Sequence, residues 1–103
     1  MARSGRTVYL AMVSASMRDV TVPPLRMLNS YMERLEDCIR GTLRRGDVVA
    51  QYSVSQFILL LPVPSADKGQ IALDRIISRF TEKYPRCPLL LRTSIREVDA
   101  ILV

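Results

Sequence analysis

Histidine and tryptophan are missing altogether from this 103-residue chain, and cysteine and glycine are sparse, with two and four. Without histidine there is no Ser–His or Cys–His nucleophilic couple, no imidazole acid–base catalyst and no Cys/His zinc site. Cys38 and Cys87 share no metal-ligand spacing and read as reduced thiols, the first in a helix and the second in a loop between Arg86 and Pro88. Apolar runs such as Phe57–Leu61 are far too short to span a bilayer. The basic start, Met-Ala-Arg-Ser-Gly-Arg-Thr, has neither the apolar core nor the small-residue cleavage site of a secretory leader. The chain therefore reads as cytoplasmic, with no membrane partner.

What is present is ordinary for one globular domain: 49% hydrophobic residues and 24% charged. The net charge of +5 and pI near 9.8 raise the question of nucleic acid. Most of the basic residues are arginine, and no aromatic residues interleave with them as a single-strand platform requires. A solvated arginine-rich surface is favoured over a direct DNA-binding face.

Thr7–Ser14 is a nearly continuous apolar run, the pattern of a strand buried on both faces. Ser16–Pro24 reads as a connection stopped by Pro23-Pro24. From Leu25, apolar residues recur at 25, 28, 32, 35, 39 and 43, a three-and-four spacing that marks one helix face. Pro24 suits the helix start and Gly46 its end. Val48–Tyr52 and Phe57–Leu61 read as hairpin strands around the break Ser53-Val54-Ser55-Gln56. Ser65 is a candidate N-cap for a second helix running to about Lys83, with Ile71, Ile76, Ile77 and Phe80 on one stripe. Leu89–Ile95 reads as the last strand. The order β-α-β-β-α-β predicts an α+β, ferredoxin-like or nucleotide-cyclase-like domain over residues 1–103, an antiparallel four-stranded sheet backed by two helices.

The hairpin is unusual because tight turns ordinarily carry Gly, Asn or Asp where φ must be positive. Here a β-branched Val54, which resists positive φ, sits between two serines. Both a tight turn and a wider loop remain open to it.

Leu43-Arg44-Arg45-Gly46-Asp47, the following strand to Tyr52, Ser53-Val54-Ser55-Gln56-Phe57 and Ile58–Pro62 together resemble the GGDEF (diguanylate cyclase) family. The resemblance extends back to the first strand and forward to Thr93-Ser94-Ile95. Its framework is good and its motif is degenerate. Where that family carries Gly-Gly-Asp/Glu-Glu-Phe, this chain has Ser53, Val54, Ser55, Gln56 and Phe57. Where the family carries a second metal-binding acid, this chain offers Met12, Val13 and Ser14. The guanine-reading positions fall near Val20 and Asn29. Mg²⁺ needs oxygen ligands, usually including carboxylates, so the resemblance implies a domain without catalytic residues, metal or cofactor. Arg44-x-x-Asp47 matches in spacing an inhibitory cyclic-di-GMP site of that family. A guanidinium and a carboxylate there could hold phosphate and guanine, with Arg45 adding a phosphate contact. Arg44 at a helix C-terminus and Asp47 in a turn also have a purely structural reading.

Two further features carry alternatives. Met17, Met27 and Tyr31 read as core filling, or as an adaptable contact surface. Ser53 and Ser55 could cap the turn or be phosphorylated. The resemblance extends to domains found C-terminally in some bacterial transcriptional activators and response regulators. It implies a non-catalytic interaction or dimerisation module, one piece of a longer regulator, whose partner is a protein or a second copy and whose DNA contact is made by another domain. The alternative is a cyclic-di-GMP receptor through Arg44 and Asp47.

Overall fold

Alternating and helical apolar periods become six elements in a computed structural model, which describes residues 7–17 and 24–98. They are β1 (Tyr9–Met17), α1 (Leu25–Thr42), β2 (Val48–Ser53), β3 (Gln56–Leu61), α2 (Ala66–Lys83) and β4 (Leu89–Glu97). The sheet runs β2-β3-β1-β4, and every neighbouring pair is antiparallel. This is the expected α+β architecture: each helix carries the chain over an intervening strand, and both helices bury their apolar stripes on one sheet face.

The core lies between that face and the helices. Ala11, Val13 and Ala15 of β1 and Phe57, Leu59 and Leu61 of β3 meet Leu28, Met32, Leu35 and Ile39 of α1. Leu73, Ile76 and Phe80 of α2 complete it. Burying each of the larger side chains contributes roughly 1.5–3 kcal/mol. Arg34 of α1 lies over the rings of Tyr31 and Tyr84, 5.5 and 5.6 Å from their centroids, and so ties α1 to the residue after α2. Tyr31 packs against the core, as expected, and Met17 and Met27 are half-buried.

Several boundaries and faces differ from expectation. β1 continues through Ser16 to Met17 because the ladder with β4 continues, pairing Ala15 with Leu91 and Met17 with Leu89. That same ladder takes β4 beyond Ile95 to Glu97. The rest of the expected connection, 18–23, lies outside the described residues. β1 is buried on one face only: Ala11 and Val13 are fully buried, whereas Leu10, Met12 and Ser14 opposite are partly exposed.

The helical stripes are also narrower. Leu25, in the first turn of α1, projects beyond the sheet and is 60% exposed. Ile71 is 52% exposed, because the buried stripe of α2 passes through Gly69, Leu73, Ile76 and Phe80. Gly69 is where α2 crosses β4, and a Cβ there would collide with Ile95 Cδ1. Ser65 caps α2 as expected, its Oγ accepting from the Lys68 N–H at 3.3 Å. α1 ends earlier than Gly46. Leu43 leaves the helix in an extended conformation, and Gly46, with φ +98°, serves the following turn.

Candidate functional site

The β2–β3 hairpin and the end of β1 form one polar cluster. The strands run one residue further into the turn than the sequence indicates, leaving Val54 and Ser55 as the loop. No described residue other than Gly46 has positive φ, so Val54 is unstrained. A two-residue loop without positive φ splays its strands. Here the mismatch is absorbed by an irregularity between Gln51 and Ser53, while Ser53 pairs with Gln56. Side chains replace the missing glycines. Gln51 Nε2 donates to the Ser53 carbonyl at 2.9 Å, and Ser53 Oγ accepts from the Ser55 N–H at 3.3 Å.

The same Ser53 hydroxyl donates to Gln56 Oε1 at 2.9 Å. Gln56 Nε2 in turn donates to Ser14 Oγ at 3.3 Å and faces Met12 Sδ at 3.2 Å. The Ser55 carbonyl accepts from the Ala15 N–H at 2.9 Å, locking the loop to β1. Phe57, the last residue of the stretch Ser53–Phe57, points to the other face and is buried in the core. The structure thus brings Met12 and Ser14 to Ser53 and Gln56. The linkage through Gln51 and Gln56 was not evident from the sequence; strand register is the signal that reveals it.

The donor set decides what this cluster can hold. The side chains joined at Gln56 are the Ser14 and Ser53 hydroxyls and the Met12 thioether, all neutral and bonded through its amide. Among the described residues no three acidic or thiol side chains converge. A hard divalent cation of the kind a cyclase uses needs carboxylates to offset its dehydration, and these residues do not fit one.

Arg44 and Asp47 lie at the other end of β2. Asp47 Oδ2 accepts from the Arg44 backbone N–H at 2.7 Å, and the Asp47 N–H donates to the Arg44 carbonyl at 3.0 Å. These bonds close a turn whose third residue, Gly46, supplies the positive φ. The pair is therefore joined through the Arg44 backbone. Arg40, Arg44, Arg45 and Asp47 line an open cleft of about 400 Å³ with Leu43, Val48 and Val49. Its positive rim suits an anion. Asn29 is exposed on α1 beside a separate cleft of about 160 Å³ with Gln51. Val20 lies outside the described residues.

The cysteines are remote from both places. Burial pushes the Cys38 thiol up, against the opposing pull of Lys83, and burial likewise pushes up Cys87, against a hydrogen bond from Leu89. Both are free thiols. No described helix is long and apolar enough to cross a membrane.

No protein-family model and no curated protein matches the sequence. Solved structures do match the fold. A microbial GGDEF domain, described in its interaction with bis-(3′,5′)-cyclic di-GMP, superposes with a TM-score of 0.69 at 16% identity, covering 97% of this chain and 62% of that one. The GGDEF domain of YfiN (TpbB) from Pseudomonas aeruginosa gives 0.65 at 18% identity, covering 89% of this chain and 62% of that one. The diguanylate cyclase SiaD from the same organism, in complex with its activator SiaC, gives 0.68 at 15%, covering 94% and 40% respectively. The chain has the fold of these GGDEF domains and spans under two thirds of the length of each of these three structures.

Proposed function

We propose that the chain is a degenerate GGDEF-like domain that regulates by interaction, as a non-catalytic, cytoplasmic module of a bacterial signalling protein. A transcriptional activator or response regulator is the intended setting, with DNA bound by another domain. The partner is a protein or a second copy. One observation carries this reading: where the resemblance puts acids, this chain has Ser55 and Gln56 in the hairpin and Ser14 at the end of β1, and Gln56 is hydrogen-bonded to Ser14 and Ser53 in a wholly neutral set. That SiaD is solved with an activator protein supports a fold that accepts protein partners.

The test is incubation of the chain with GTP and Mg²⁺ or Mn²⁺, followed by chromatography for cyclic di-GMP. No product is expected, and product formation would overturn the reading. The receptor alternative draws on the cleft among Arg40, Arg44 and Arg45. Calorimetric titration with cyclic di-GMP belongs in the same experiment. Heat that is lost in Arg44→Ala would favour the receptor, and absence of heat would leave assembly as the function.

A further inference from the structure

Over Leu10–Met12 and Ile58–Leu60, β1 and β3 are apolar on both faces, yet the two described helices cover only one. On the other face, register sets Leu10 beside Leu60 and Met12 beside Ile58, and β2 extends the patch with Val48 and Ala50. Val48 is 51% exposed and Leu60 37%. Antiparallel strands with one wet face normally alternate apolar and polar residues, and over these two segments the strands do not. β4 opens with Leu89-Leu90-Leu91, and beyond them it presents polar and charged residues on this face: Arg96 pairs with Leu10, Ser94 with Met12 and Arg92 with Ser14. Among the described residues, neither Arg92 nor Arg96 makes an ion pair.

We infer that this open face docks an amphipathic helix of a partner protein, whose apolar stripe is flanked along one side by Asp and Glu. The inference rests on the non-catalytic reading and names the surface through which the domain assembles. Dimensions favour a helix. The three apolar columns span two inter-strand spacings, about 10 Å, which matches the diameter of one α-helix. The arginine row on β4 lies one strand further out, where the flank of that helix would pass.

Charge selects the partner. A second copy brings its own net +5, and the acids of α1 are interspersed with Arg34 and Arg40. Single-stranded nucleic acid needs a series of aromatic stacking surfaces, and register places none on this face in β1, β3 and β4, while β2 carries a single exposed one, Tyr52.

The test uses the isotope-labelled chain and two designed helical peptides of about 18 residues, a span of roughly 27 Å. Both carry one leucine stripe, flanked by Glu in the first and by Lys in the second. The Glu peptide is expected to bind and to shift the amide resonances of Leu10, Met12, Ile58 and Leu60. Leu60→Lys should weaken binding roughly tenfold or more. The Arg92→Glu/Arg96→Glu double variant should reverse the preference between the peptides. All variants should stay folded with melting temperatures close to the wild type, because Arg92 and Arg96 are exposed and Leu60 is partly so.

Absence of binding, equal binding of both peptides, or shifts confined to other surfaces would overturn the inference. So would a dimer of the chain that dissolves in Leu60→Lys, which assigns the face to a second copy. Cyclic di-GMP formation from GTP would defeat the non-catalytic reading instead, and the peptide result would still decide this one.

Discussion

Gln56 stands where the resemblance to the GGDEF family would put an acid, and its amide sets the chemistry of its neighbours. An amide both donates and accepts, so one side chain satisfies Ser53, Ser14 and the Met12 sulfur together. A carboxylate accepts only, and at this position it would require a cation or several donors. Gln56→Ala should therefore lower stability by about 1 kcal/mol, the usual net worth of such hydrogen bonding, measured as a fall in the urea midpoint with an unchanged slope. Gln56→Glu alone should leave the chain without GTP turnover, because a single carboxylate does not make a divalent-cation site. Turnover in that variant would show that the remaining donors suffice. The lack of acids in the hairpin loop was legible from the order Ser53-Val54-Ser55-Gln56. Its consequence was not, since Gln56 meets Ser14 and Met12 across 42 and 44 residues of chain.

At the scale of elements, period carries most of the information and tertiary approach carries the remainder. The buried face of α1, Leu28, Met32, Leu35 and Ile39, follows directly from the three-and-four spacing. In α2 the spacing admits a stripe through Ile71, and the structure turns the helix so that Gly69 faces β4 instead. A side chain there must displace the terminal methyl of Ile95, which occupies the space a Cβ would take. The sequence alone does not contain this distance. Gly69→Leu should cost about 1–3 kcal/mol through overpacking, outweighing the roughly 1 kcal/mol that glycine forfeits in helix propensity. Shortening Ile95 in the same background, as Gly69→Leu/Ile95→Ala, should recover part of the loss. A double variant no more stable than Gly69→Leu would place the clash elsewhere. Gly46 shows the complementary case: its need for positive φ was readable, but whether it served the helix end or the Arg44–Asp47 turn depended on where α1 stopped.

The whole molecule is one-sided, and two adjacent residues report on it. Leu59 and Leu60 share a strand, a residue type and a neighbourhood, but point to opposite faces of the sheet. Leu59 is fully buried beneath the helices, whereas Leu60 is 37% exposed on the face that no described helix covers. Truncating Leu59 removes packed methyl groups and leaves a cavity, so Leu59→Ala should destabilise by about 2–5 kcal/mol. Leu60→Ala removes a side chain that is already partly solvated and can be replaced by water, so it should cost less than about 1 kcal/mol. Urea unfolding of the two variants measures both values. Equal large losses would mean that the chain in solution covers its second face, by self-association or by residues outside those described. Those alternatives separate by repeating the Leu60→Ala melt across protein concentration, since a loss arising from a dimer interface falls away as the chain is diluted. A large difference between the two leucines would leave the second face open, as the apolar columns beside Arg92 and Arg96 require if they are to receive a partner.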